Sequence, residues 1–318
     1  MRLSLPGSSL TLVLVLGSLA LGCGDGNQPG SRRFLSIGTA GTGGIYYPLG
    51  GAIASLLSVR DPVRQYTAEV TGGAVENVNR LREGQIDLGF ALSVSAFEAY
   101  HGGTDYVEPF ETLRIVAPLY ANLIHILVPR GSEARSLGDL AGARISVGAA
   151  GSGTEQVARQ LLELYGMSYE DVEARFLTFS ESAASLRDEA IDAAIISVGY
   201  PAAAVLEATT TGGARLLPVH PADMERLRER YPYYMPGEIP VDAYPGVDSP
   251  IPTPAMMNWI VSSEDLEDGV VTLLLDVLRD ERSSLEQVHE MARQIDLANL
   301  STAPIALHRA TEAWMVGG

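Results

Sequence analysis

The sequence predicts an α/β protein of two lobes with a ligand cleft between them, and three observations carry that expectation. The glycine loop "IGTAGTGG" (37–44) returns as "VGAAGSGT" (147–154). Apolar residues follow both loops at helical spacing: Ile45, Leu49, Ile53 and Leu56/Leu57 after the first, then Val157, Leu161, Leu162 and Tyr165 after the second. "LREGQIDLGF" (81–90) is matched by "LRDEAIDAAII" (186–196), each a helix-like segment leading through Ile-Asp into an apolar strand. Two units of strand, glycine loop, helix, strand, helix, strand favour parallel sheets with helices on both faces. In such sheets ligands sit beyond the carboxyl ends of the strands, where these loops lie.

Taken in order, the chain opens with Arg2 and an uncharged run dense in Leu and Val that stops at Gly22-Cys23. A membrane-spanning helix needs about 20 apolar residues, so 1–22 reads as a signal peptide. Cys23 is the only cysteine, so no disulfide forms within the chain. Its place after "ALG" resembles a bacterial lipoprotein cleavage box, which implies acylation of Cys23 and membrane contact through a lipid anchor. Such boxes usually carry Leu where Ala20 stands. Residues 23–33, Gly/Pro-rich and polar, form a flexible tether. Lobe 1 then occupies 34–120, lobe 2 with its crossover 121–249, and the chain returns to lobe 1 over 250–318. The return passes through "YPYYMPGEIPVDAYPGVDSPIPTP" (231–254), whose seven prolines exclude helix and central strand. "AMMNWIVS" (255–262) reads as a strand. Two helices follow, the first over Val270 to Leu278, with a short segment "APIALHRA" near the C-terminus.

Charge excludes several functions. The formal net charge is -17, all 22 basic residues are arginine, and no basic run appears. Nucleic acid is not an expected partner, because its binding rests on clustered positive charge. A Walker loop needs a lysine, and Gly153 stands where it should be. Neither glycine loop has the G-x-G-x-x-G spacing of a dinucleotide fold. The five histidines (101, 125, 220, 289, 308) lack metal-ligand spacing, and no G-x-S-x-G elbow occurs. No catalytic residue, metal or cofactor is expected. His125, within an apolar strand-like run, reads as a hydrogen-bonded structural residue, and the Ile-Asp positions Asp87 and Asp192 as turns into strands.

What remains is anion binding by backbone. Glycines admit close approach, and helix N-termini offer unpaired N–H groups with partial positive charge. Thr42, Ser152 and Thr154 add hydroxyls, and "TGGAVENV" (71–78) repeats the theme. Three such turns around one cleft hold a small carboxylate without Arg or Lys.

At this point the motifs resemble a known family: the TAXI-type substrate-binding proteins of TRAP transporters, receptors for sodium-driven uptake. The resemblance runs from about Phe34 to the C-terminus on "IGTAGTGGIYYPLGGA", "TGGAVENV", "GQIDLGF", "LGDLAGARISVGAAGSGTE", "FSE" and "YPYYMPGEIP". It implies a periplasmic-binding-protein type II fold, two α/β lobes closing on a ligand, and delivery to TRAP membrane subunits. The ligands it implies are small carboxylates, glutamate among them. The expected ligand-binding residues are Thr39, Gly41, Thr42, Gly43, Tyr46, Tyr47, Gly73, Ala74, Ser93, Ser152, Gly153 and Thr154.

Several positions depart from the family pattern. Ala40-Gly41 replaces Gly-Ser, Ala74 replaces Ser, Ala91-Leu92-Ser93-Val94 replaces V-Q-S-D, and Ala121-Asn122 replaces Pro-Glu. Losing acids removes partners for a ligand ammonium, since a buried cation needs compensating charge. A ligand without an amino group is therefore expected, a dicarboxylate or 2-oxo acid, or one with an apolar tail against Leu92 and Val94. A sensory partner instead of a transporter, and an ABC-type receptor of similar fold, stay open as alternatives.

Overall fold

The computed structural model describes residues 33–317 apart from 104 and 212. The signal peptide, Cys23 and the tether up to residue 32 lie outside the described residues. β1 (Arg33–Gly38) leads through the first glycine loop into α1 (Tyr46–Arg60), β2 (Arg64–Glu69), α2 (Ala74–Arg82) and β3 (Leu88–Leu92). α3 (Ser93–His101) and a long strand, β4 (Leu113–Pro129), connect this unit to its repeat. There β5 (Arg144–Ser146), α4 (Gly153–Leu164), β6 (Glu173–Arg175), α5 (Phe179–Arg187) and β7 (Ala193–Val198) recur in the same order. α6 (Ala203–Thr210), β8 (Ala214–Leu217), α7 (Pro221–Arg230), β9 (Met235–Ile239) and β10 (Ile251–Ser263) follow. α8 (Asp268–Asp280), α9 (Arg282–Val288) and α10 (Arg309–Gly317) close the chain.

The two units are built alike at the level of hydrogen bonds. β1 lies between β2 and β3, and β5 between β6 and β7, all parallel. The repeated Ile-Asp has one job in both: the Asp87 carboxylate accepts the N–H of Ser36 at 2.8 Å, and Asp192 that of Arg144 at 2.9 Å. Each aspartate clasps the neighbouring strand one residue before the ladder between the two strands begins, at Ile37 and at Ile145. Neither is placed as half of a catalytic pair.

β4 and β10 run antiparallel and carry the sheet from one lobe to the other, in strand order β2-β1-β3-β10-β4-β7-β5-β6. The first half of β4 pairs with β10, and from Leu123 onward it pairs with β7. Apolar faces on both sides bury the ladder: α1 packs Leu49, Ile53 and Leu57 inward, and β4 and β10 contribute Ile115, Leu119, Trp259 and Ile260.

The proline-rich segment forms no helix and no central strand, but it does contribute strand at the sheet's margin. It contains β9, and Pro252 and Pro254 lie inside β10, paired with Glu238 and Pro236. β10 pairs with β4 only from Ala255 on, so its first residues and β9 form a ribbon at the sheet's margin. A missing N–H is tolerated at an edge.

His125 in β4 is fully buried. Its Nδ1 faces the carbonyls of Leu123 and Ile196 at 3.1 and 3.3 Å, and its Nε2 the Tyr244 hydroxyl at 3.1 Å. Burial drives its pKa from 6.5 down to about 4, against the two carbonyls, which favour the charged form. Above pH 6.5 the imidazole is neutral both folded and unfolded and contributes nothing to pH dependence. Between 6.5 and 4 only the unfolded chain takes the proton, so stability falls as pH falls, by about 3 kcal/mol over the window. His125→Gln is expected to flatten this segment of a stability-versus-pH curve measured by denaturant titration, whatever its starting stability. An unchanged slope would show that other groups govern acid unfolding.

Candidate functional site

A cavity of about 250 Å³ opens where the two units face one another. Taking a water's share of liquid volume as roughly 30 Å³, it holds about eight waters' worth of guest. Four helix starts border it: Thr42 to Tyr46 before and at α1, Gly72 to Ala74 at α2, Ser152 to Thr154 at α4, and Thr178 to Ser180 at α5. Leu92, Ser197 and Val198, from the ends of β3 and β7, and Tyr120 and Asn122, from the middle of β4, form the floor.

The glycines are there because backbones meet. At Gly148 φ is +95°, and an added Cβ would lie 2.8 Å from the Thr154 side chain; the turn needs both the conformation and the space. Gly73, at φ +128°, precedes α2, and its Cβ would press on Ser152 across the cleft at 3.3 Å. The N–H of Glu76 donates to the carbonyl of Gly151 at 2.9 Å, so the α2 and α4 loops are bonded to each other. Among the described residues, the N–H groups of Thr42, Gly43, Gly153 and Thr154 find no acceptor within the protein. Gly153 and Thr154 supply orphan donors expected of a helix start, whereas Thr42 and Gly43 belong to the loop before α1; all four residues line the cavity.

Electrostatically the four starts differ. α2, α4 and α5 each carry an acid in the first turn: Glu76, Glu155 and Glu181. Glu76 accepts from the N–H of Gly72, Glu155 pairs with Arg159 at 2.7 Å, and Glu181 closes a capping box on Thr178. Backbone and hydroxyl donors at Thr178 hold the Glu181 carboxyl below its ordinary pKa. α1 has no acid in its first turn, so its partial positive charge is uncompensated. Among the described residues, no Arg, His, Asp or Glu lines the cavity. Whatever binds there is met by neutral donors and helix dipoles alone.

The floor is a continuous chain of amides and hydroxyls. Tyr46 donates to Asn258 Oδ1, and Asn258 Nδ2 donates to the Tyr120 carbonyl at 2.8 Å and to Asn122 Oδ1 at 2.7 Å. Asn122 Nδ2 in turn donates to the Ser197 carbonyl at 2.9 Å.

Of the residues singled out from sequence, Gly41, Thr42, Gly43, Tyr46, Gly73, Ala74, Ser152, Gly153 and Thr154 line this one cavity. Thr39, Tyr47 and Ser93 do not. The Thr39 hydroxyl is buried and donates to the Glu69 carbonyl at 2.6 Å, extending the β1–β2 ladder. Tyr47 is 37% exposed on the outer face of α1, one residue and about 100° round the helix from Tyr46. Ser93 Oγ accepts from Trp259 Nε1 at 2.8 Å and donates to the Met257 carbonyl at 3.2 Å, leaving no proton for an anionic ligand. Val94 is buried off the cavity, whereas Leu92 lines it. The start of α5 was missed as a site element, although Thr178 and Glu181 spell a T-x-x-E capping box in the sequence. Tyr120 was missed too, because a tyrosine in an apolar strand reads as core.

Two lobes joined by long crossover strands, with helix starts converging on the cleft between them, define the two-lobed periplasmic-binding-protein fold, type II in strand order. Solved proteins of this fold superpose on most of the chain. A Bordetella bronchiseptica protein aligns at 16% identity and TM-score 0.56, covering 90% of this chain and 81% of its own. The ligand-binding component of an ABC-type import system from Staphylococcus aureus, with zinc bound, aligns at 12% and 0.50, covering 86% and 84%. An ancestral arginine-binding protein bound to arginine aligns at 17% and 0.50, covering 83% and 99%. The family match is at sequence level: residues 37–314 match the NMT1-like family, and the chain belongs to it.

Proposed function

We propose that this protein is an extracytoplasmic solute receptor that captures a small carboxylate between its lobes and delivers it to membrane subunits. The observation that carries this reading is the cavity itself, lined by residues with unpaired N–H donors from the glycine loop before α1 and from the start of α4, and without any side-chain charge. Such a site neutralises a small anion and has no group to act on it chemically. Lobe 1 comprises 34–120 and 250–318, and lobe 2 comprises 121–249; closure over the guest gives the membrane partner a shape to recognise. Export by the segment 1–22 and acylation of Cys23 belong to the same proposal. The guest is a dicarboxylate, a 2-oxo acid or a glutamate-like compound.

The motif resemblance favours TRAP membrane subunits of the TAXI type. An ABC-type importer is the second reading, favoured by the fold shared with the Staphylococcus aureus import component. Uptake that collapses with the sodium gradient supports the first, and uptake that survives its loss supports the second.

A thermal-shift panel of small organic acids tests the receptor itself. A guest at 100 times its Kd adds about 2.7 kcal/mol, expected to raise Tm by about 5 °C or more. A flat panel of mono- and dicarboxylates, or steady turnover of any of these acids, overturns the receptor reading.

A further inference from the structure

Behind the cavity, polar side chains bond one lobe to the other. α3 falls in lobe 1 and α4 in lobe 2, and their N-terminal ends touch: a Cβ on Gly153 would stand 2.5 Å from Leu92 and 3.1 Å from Ser95 Oγ. Further along the two helices, Gln156 accepts from the Ser95 hydroxyl at 2.5 Å and donates to Glu98 at 3.1 Å and to Asp105 at 3.0 Å. Gln160 donates to the other Glu98 oxygen at 2.9 Å, and Arg159 pairs with Asp105 at 2.8 Å. Each of these bonds crosses between the lobes, and none involves a residue of the cavity lining.

The seam carries surplus negative charge. Glu98, Asp105 and Glu155 share a single guanidinium; Arg159 pairs with Asp105 and Glu155 and leaves Glu98 to neutral amides. Burial, and then the neighbouring Asp105 carboxylate, raise the Glu98 pKa, against Arg159, Gln160 and Tyr233, which favour the charged form. The tyrosines around it, Tyr106, Tyr231, Tyr233 and Tyr234, are pushed up by burial and stay neutral near pH 7. Glu163 beyond them is paired with Arg230 at 2.7 Å, and His101 lies exposed one turn along α3. With the lobes apart, Glu98 would meet water and titrate in the ordinary carboxylate range. The joined form therefore binds the proton more tightly; that advantage is full below the ordinary range and is lost as pH rises through the raised value.

We infer that the α3–α4 seam is a proton-sensitive latch between the lobes, in which mild acid neutralises Glu98 and favours the joined form. The first residues of α4 line the cavity, so a guest that needs joined lobes binds more tightly in mild acid, although the lining has no acid or histidine of its own. The latch does not depend on what the guest is, and a flat acid panel would leave it standing.

Small-angle scattering of the full mature chain, with no organic acid added, tests it between about pH 7.5 and about pH 5. The wild type is expected to contract as pH falls. Glu98→Gln, neutral and of the same shape, should be as compact at the upper pH as the wild type is at the lower, with the pH response lost. His101→Gln should keep the wild-type response. Asp105→Asn removes the neighbouring negative charge and should shift the contraction to lower pH. A wild type that keeps its size or expands in acid overturns the inference, as does a contraction that survives Glu98→Gln or disappears with His101→Gln. Should Glu98→Gln fail to fold, Asp105→Asn decides, and a contraction at an unmoved pH overturns the latch.

Discussion

Gly43→Val is expected to weaken ligand binding by about 10- to 100-fold while leaving the unliganded protein folded. An added Cβ at Gly43 would stand 2.5 Å from Ser180 Oγ and 3.2 Å from the Ser180 backbone nitrogen. Gly43 belongs to the loop before α1 and Ser180 to the first turn of α5, so the collision falls between the lobes. Overpacking a tight contact costs about 1–3 kcal/mol, and here a hinge supplies the relief. The lobes part, and the cost appears as lost closure rather than lost stability. Gly43 has no left-handed φ, so valine adds no backbone strain of its own. Calorimetry with the best acid of the thermal-shift panel measures the loss, and small-angle scattering should show that the variant no longer contracts on ligand addition. Gly51→Val, with open space around its Cβ in the following helix α1, is the control. Equal affinities for the two variants would mean that the Gly43–Ser180 approach has no part in closure.

Ser180 also shows where sequence reasoning reaches its end. The repeat was legible because both halves spend the same residues on the same backbone bonds: glycine where loop meets loop, and Ile-Asp where a helix turns into a strand. Periodicity sees those, since each is a local requirement written twice. The start of α5 was legible only as a capping box, which says that a helix begins and not what it faces. Tyr120 was opaque for a different reason. Its hydroxyl is buried without a hydrogen-bond partner among the described residues, which only the packing around β4 reveals. Thr39 and Ser93 failed in the opposite sense. Both have the right chemistry at the right loop, but a neighbouring carbonyl or indole uses the hydroxyl first. The prolines excluded a central strand but not an edge, because their penalty depends on how many strands flank them, and β9 has one neighbour.

The same competition for hydrogen bonds makes Asn77 the most sensitive position outside the cavity lining. It sits in α2, fully buried, within "TGGAVENV". Its Nδ2 donates to the carbonyls of Gly38, Thr39 and Phe90 at 3.1, 2.7 and 2.9 Å, and its Oδ1 accepts from the Thr71 hydroxyl at 2.7 Å. One amide thereby pins the end of β1, the end of β3 and the loop before α2. These are the segments that place Thr42 and Gly73 at the cavity. Asn77→Ala removes all four bonds and leaves the acceptors buried. Alanine's better helix propensity returns only about 0.6 kcal/mol. A net loss of about 3 kcal/mol is expected, a fall in Tm of about 5 °C for a chain of this length. Ligand affinity should fall as well, because two glycine loops lose their common anchor. Asn79→Ala, two residues on, removes a side chain that makes no hydrogen bond among the described residues and should cost less than about 0.5 kcal/mol. Asn77→Asp separates anchoring from shape: it keeps the acceptor for Thr71 but turns a carboxylate on three carbonyl oxygens, and should destabilise at least as much as alanine. If denaturant titration instead finds Asn77→Ala within 1 kcal/mol of wild type, water has replaced the amide. The loops are then held by packing, and the cavity's geometry does not depend on this bond network.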